Sequence, residues 1–129
     1  MTNKPDYGSI GWIDLTCDNA DEVRDFYSAV IGWEAASVEM GDYEDYCMMQ
    51  EDSDNPLTGI CHKRGENAEI PTQWLIYITV EDLMKSVAKC LELGGKTLTE
   101  PRFTDGQGGF CVIQDPAGAV CALYQPEVD

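Results

Sequence analysis

The chain has 129 residues, of which 43% are hydrophobic, and its 24 acidic against 8 basic side chains give a formal net charge of −16. That length suits one domain, and that apolar fraction excludes a disordered chain. A field of this sign repels phosphate backbones, which excludes nucleic acid as a partner.

Met1 to Tyr7 is polar, contains Pro5 and lacks the apolar core of a secretory leader. No apolar run long enough to span a membrane follows. A cytoplasmic protein with no membrane contact is expected. Ile10 to Thr16 reads as the first strand. Ile13, Leu15 and Cys17 alternate with Trp12, Asp14 and Thr16, which gives one apolar face and one mixed face. A helix follows, with Asp18 or Asn19 as its cap and Glu22 placed for a capping box. Val23, Phe26, Tyr27, Val30 and Ile31 recur at helical spacing, and Gly32 is the expected stop. Tyr46 to Glu51 and Leu57 to His62 read as further strands. Lys63 to Pro71 is a polar join.

The pattern then starts again. Trp74 to Val80 is a strand in which Ile76, Ile78 and Val80 alternate with Leu75, Tyr77 and Thr79. Asp82 caps a helix carrying Leu83, Val87, Cys90, Leu91 and Leu93, and Gly94-Gly95 closes it. Phe110 to Asp115 matches Tyr46 to Glu51, and Ala119 to Tyr124 follows the turn signal Asp115-Pro116-Ala117-Gly118. The halves superpose with an offset of about 62 residues.

This repetition predicts an α+β fold of two tandem βαβββ modules, at about residues 8–63 and 72–126, in one domain over 1–129. The modules are expected to form one curved, mixed, eight-stranded sheet with helices outside and a cavity inside. The purely apolar strand faces should meet the helices, and the mixed faces should line the cavity.

Several chemistries can be set aside. Asp52-Ser53-Asp54 opens like a calcium loop, but Pro56 and Leu57 follow and no Glu closes it. The six cysteines contain no Cys-x-x-Cys pair, and most sit in apolar runs, so they read as free, buried thiols. The glycine-rich stretch Asp105 to Gly109 lacks the Lys-Ser/Thr and helix of a phosphate loop.

Phe26-Tyr27-Ser28-Ala29-Val30-Ile31-Gly32-Trp33, Leu93-Gly94-Gly95-Lys96 and Asp115-Pro116-Ala117-Gly118-Ala119 together resemble the vicinal-oxygen-chelate (glyoxalase/bleomycin resistance protein/dioxygenase) superfamily. The likeness runs over about residues 8–126, and it is greatest for a glyoxalase-like subgroup with Trp in place of the first metal ligand. The resemblance implies the two-module fold and, in most members, a divalent ion held by His or Gln early in the opening strands and Glu late in the closing strands. Counting from the motifs, those positions fall on Trp12, on Leu75 (or Trp74 if the register slips by one) and on Ala122. None can hold such an ion. The fourth position lies somewhere in Leu57 to His62. His62, the only histidine, could lie there, but one ligand makes no site, and the plain reading is a strand-end or surface histidine.

The expectation is therefore a small-molecule-binding protein with no metal and no cofactor, of uncharacterised ligand. Trp12, Met48, Leu75, Tyr77, Phe110 and Tyr124 would wall its pocket, with Asp14 and Tyr77 as polar anchors. The plain alternative is that these aromatics fill the sheet interior. A second reading is an enzyme, either a metal-dependent lyase or dioxygenase with unrecognised ligands or a metal-free one using Asp14, Tyr77 or a thiol. Catalytic residues are not identified by the sequence. A third is an interaction subunit: the resemblance implies a homodimer, for which Trp33 is a candidate contact.

Overall fold

The computed structural model describes residues 6–127. Its chain divides into two compact units, Ile13–Trp74 and a second that joins Met1–Trp12 to Leu75–Asp129. The first strand therefore starts in one unit and ends in the other.

In the unit Ile13–Trp74, strand β1 (Ile10–Cys17) leads into helix α1 (Ala20–Ile31), followed by β2 (Glu34–Glu39), β3 (Glu44–Met49) and β4 (Pro56–His62). The strand order is β2-β3-β4-β1. β1 and β4 are parallel, and the other pairs are antiparallel. Gly32 ends α1 at φ 93°, a left-handed turn that glycine takes without steric cost, and its N–H donates to Ser28 O at 3.0 Å. The expected capping box forms only in part. The Asn19 amide donates to Glu22 Oε2 at 3.2 Å and caps no backbone group.

The other unit runs β5 (Trp74–Thr79), α2 (Leu83–Glu92), β6 (Lys96–Thr97), β7 (Arg102–Thr104), β8 (Gly108–Gln114) and β9 (Val120–Gln125). Its order is β5-β9-β8-β6, with β7 also on β8. β5 and β9 are parallel, like β1 and β4. The entry to β1 belongs here too: Gly8 N–H donates to Thr79 O at 2.7 Å and Thr79 N–H to Ser9 O at 2.9 Å. Asp82 caps α2 as expected, accepting from Lys85 N–H at 3.1 Å.

The α+β class and the mixed strand pairing match the sequence reading, but the strands among the described residues number nine where eight were expected. The additional one arises between α2 and β8. There the Thr99 side chain accepts the Val112 N–H at 3.0 Å, where a strand backbone would otherwise bond, and Pro101 has no N–H to offer. The segment breaks into β6 and β7.

Each unit has its own core on the helix side of its strands. Leu15, Cys17, Ala20, Tyr46, Met48 and Ile60 form one, with Val23, Tyr27, Trp33 and Trp74 packed against it. Leu83, Val87, Cys111, Ile113 and Leu123 form the other, flanked by Ile78, Val80, Cys90 and Cys121. The apolar faces of β1 and β5 thus meet the helices. The helices are less apolar on their buried sides than the spacing suggested. Phe26, Val30 and Ile31 of α1, and Leu91 and Leu93 beyond the core stripe of α2, are all more than half exposed. Trp33, which the sequence offers equally as core or as a dimer contact, packs in its own unit, 5.6 Å from the Tyr27 ring and 6.3 Å from Trp74.

Candidate functional site

The strand registers fix which side chains share a face. In one unit Leu15 pairs with Ile60, and Ile60 with Tyr46, on the helix side. Asp14 pairs with Gly59, and Gly59 with Cys47, on the opposite side. In the other unit Ile78 pairs with Leu123, and Leu123 with Cys111, on the helix side. Tyr77 pairs with Ala122, and Ala122 with Val112, on the opposite side.

The two halves therefore correspond at an offset of 63 for β1/β5 (Asp14 to Tyr77) and for β4/β9 (Gly59 to Ala122). For β3/β8 the offset is 65 (Cys47 to Val112). The apparent sequence match of Tyr46-Cys47 to Phe110-Cys111 is one residue out of register. A slip of one turns every side chain to the other face.

That slip corrects the expected pocket wall. Met48 does not share the face of Asp14; it is fully buried in the helix-side core with Leu15 and Ile60. Leu75 also has no exposed surface, so it packs and offers a ligand nothing to touch. Tyr77, Phe110 and Tyr124 do share one face of their unit, and all are half-buried. The rings of Tyr77 and Phe110 lie 6.1 Å apart, the Arg102 guanidinium stands 5.2 Å from the Phe110 centroid, and Tyr124 Oη donates to Gln107 O at 3.0 Å. Trp12 and Asp14 are half-buried. Asp14 lies beside Gly59 and Cys61.

The ion positions can now be completed. Ala122 on β9 corresponds to Gly59 on β4, so the fourth position is Gly59, and His62 lies three residues beyond it. Neither Trp12, Leu75 and Ala122 in one unit nor Gly59 in the other carries a side-chain oxygen, sulfur or imidazole donor, so these residues do not fit a divalent ion. Among the described residues no three His, Cys, Asp or Glu side chains are grouped to hold one elsewhere. A thiol nucleophile is also disfavoured. Burial pushes the Cys61 thiol far up, with Asp14 and Asp45 adding to it, and burial also raises Cys17, Cys47, Cys111 and Cys121.

A second arrangement was not anticipated from the sequence. The first turn of α1, the start of β3 and the end of β4 converge on a cleft of about 540 Å³, lined by Asp21, Glu39, Gly41, Asp42, Tyr43, Glu44, Tyr46 and His62. His62 is not a loose surface residue: its side chain is only 17% exposed. One oxygen of the buried Asp45 accepts the His62 backbone N–H at 2.8 Å and lies 3.2 Å from ring Nδ1. Nε2 lies 3.5 Å from Asp21 Oδ1. The Tyr46 hydroxyl donates to that same Asp21 oxygen, which holds the Asp21 carboxyl below its usual range and pushes the Tyr46 phenol up. Tyr43 meets the imidazole edge-on at 5.6 Å. The lone histidine was the available signal. Its partners come from the β3–β4 register, which composition does not reveal.

The family model described as Glyoxalase/Bleomycin resistance protein/Dioxygenase superfamily matches residues 9–123. The chain belongs to this superfamily. It is 29% identical over 119 residues to "Putative glyoxylase CFP32" of Mycobacterium tuberculosis (strain CDC 1551 / Oshkosh), covering 92% of this chain and 44% of that one. It is 30% identical over 112 residues to the "Anthracycline biosynthesis protein DnrV" of Streptomyces peucetius, covering 87% and 39%. The chain spans less than half the length of these relatives. Among solved structures, methylmalonyl-CoA epimerase from Mycobacterium tuberculosis is similar with a TM-score of 0.58 at 13% identity, over 99% of this chain and 94% of that one. The Streptomyces coelicolor epimerase in complex with 2-nitronate-propionyl-CoA gives 0.58 at 17%, over 95% and 99%. These likenesses establish the fold. No helix among the described residues is long and apolar enough to cross a membrane.

Proposed function

We propose that this chain is a small-molecule-binding member of the superfamily that works without the family's divalent ion. The observation that carries this reading is the residue set Trp12, Gly59, Leu75 and Ala122 at the four ion positions. The ligand lies against the half-buried aromatic face of Tyr77, Phe110 and Tyr124, with Trp12 in the same unit. Flat rings offer apolar area and stacking at low entropic cost. The net charge of −16 favours a neutral or cationic ligand and opposes a polyanion such as the CoA ester held by one structural neighbour.

Two measurements test this. Calorimetry with Ni²⁺, Mn²⁺, Fe²⁺ and Zn²⁺ should show no stoichiometric tight binding. One ion held at about micromolar affinity or better would support the competing reading, a metal-dependent lyase or dioxygenase, and overturn this one. An anthracycline, suggested by the name of the Streptomyces relative, is the second probe. Its binding should be saturable and should weaken about tenfold in Phe110→Ala, the loss of one aromatic contact. Binding indifferent to that substitution removes the aromatic face from the account.

A further inference from the structure

We propose that Arg102 is the specificity-determining residue of the aromatic face, and that it selects a flat ring ligand carrying a neutral carbonyl oxygen at its edge. This rests on the reading above, in which a ligand lies against Tyr77, Phe110 and Tyr124.

Strand pairing puts Arg102 on that face. Arg102 stands directly opposite Phe110 in the β7–β8 pair, and Phe110 directly opposite Tyr124 in the β8–β9 pair. Residues opposite one another on paired strands share a face. One row therefore runs Arg102, Phe110, Tyr124 across three strands. Phe110 is its centre, with the Arg102 guanidinium 5.2 Å from the ring centroid and the Tyr77 ring at 6.1 Å. All four residues are half-buried. The pleat of β7 turns its next residue, Phe103, to the other face, where it is 55% exposed. Burial alone would favour the reverse, with the ring inward and the cation in solvent. β7 instead presents its cation to the rings.

The chemistry of that cation narrows the ligand. A guanidinium is a planar fork of five N–H donors, always charged and with no acceptor. Five donors exceed what one protein acceptor uses, so the fork can bond within the chain and to a ligand together. The Tyr124 hydroxyl gives its proton to Gln107 O, which leaves Arg102 as the donor of this row. At long range the net charge of −16 opposes an anion. At contact Arg102 repels a cation. A neutral carbonyl meets neither objection, and its oxygen accepts from the fork while its ring stacks on Phe110.

The test uses the full chain with fluorenone and fluorene, matched flat ring systems that differ in one carbonyl oxygen, measured by equilibrium dialysis. Fluorenone should bind about tenfold more tightly, the worth of one charge-assisted hydrogen bond. In Arg102→Met that preference should vanish while the affinity for fluorene stays the same. Arg102→Lys keeps the charge without the fork and should show a preference below that of the native chain. It also serves if the Met variant does not fold. Equal binding of the two rings by the native chain, or a preference unchanged in either variant, overturns the role of Arg102 and leaves the aromatic face standing. Loss of fluorene binding in Arg102→Met would mean that Arg102 only supports Phe110, and overturns it too. Tighter binding of a fluorene carboxylate than of fluorenone overturns the neutral oxygen. If neither ring binds, or if Phe110→Ala changes neither affinity, the aromatic-face reading falls and this assignment falls with it.

Discussion

Asp45 holds His62 twice through one oxygen, at 2.8 Å from the backbone nitrogen and 3.2 Å from ring Nδ1. The two residues are 17 apart in the chain and meet because β3 folds back on β4 with Tyr46 opposite Ile60. Asp45→Ala would strip the buried His62 N–H of its acceptor. The expected cost is about 2 kcal/mol, the penalty for an unsatisfied buried donor, read from urea unfolding. Asp42, whose side chain is 81% exposed at the rim of the same cleft, should cost no more than about 0.5 kcal/mol when changed to Ala.

Two glycines of one turn separate conformation from packing. Gly106 (φ 79°) and Gly108 (φ 77°) both sit in the left-handed region. A Cβ at Gly106 meets nothing within 4 Å, whereas one at Gly108 would fall 2.0 Å from Gln125 O. Gly106→Ala should cost about 1 kcal/mol, the left-handed strain alone. Gly108→Ala should cost about 3 kcal/mol or more, since backbone must move. Thermal melts of the pair would show the difference, and equal losses would contradict the close β8–β9 approach.

The two helices start differently, and the difference is measurable. Asp82 caps α2 through the Lys85 N–H, while Asn19 makes no capping bond to α1. Asp82→Ala should cost about 1 kcal/mol and Asn19→Ala at most a few tenths, by the usual worth of a cap.

The buried thiols predict a pH dependence on the alkaline side. Burial raises Cys17, Cys47, Cys61, Cys111 and Cys121 above the ordinary value of 9.0. Below that value the thiols are protonated folded or unfolded, and stability is full. Above it the unfolded chain loses these protons first, so stability falls as pH rises. Urea midpoints should hold steady below about pH 8 and drop above about pH 9. At neutral pH these five thiols should alkylate slowly in the folded chain and readily in urea.

Much of this architecture is legible in the residues. Alternation in Ile13, Leu15 and Cys17 and in Ile76, Ile78 and Val80 marks both opening strands, and Gly32 and Asp82 mark helix ends. The misplaced face of β3 has one physical source. Tyr46-Cys47-Met48-Met49 is apolar on both sides, so no alternation says which face is which. The shared Cys-x-x-Gln pattern suggests a register one residue out, which puts Met48 on the cavity-facing side when it belongs to the helix-side core. His62 was undervalued because its meaning lies in Asp45 and Asp21, which only strand pairing and helix placement bring near.

The unequal offsets carry a consequence for how the halves have diverged. At the offset of 63, His62 answers to Gln125, whose side-chain oxygen accepts the Leu83 N–H at 2.8 Å, and Asp21 answers to Met84. At the offset of 65, Asp45 answers to Phe110. One copy spends these stations on starting a helix and laying down an aromatic ring. The other spends them on acids and an imidazole. The paired positions of the repeat thus carry different chemistry in the two units.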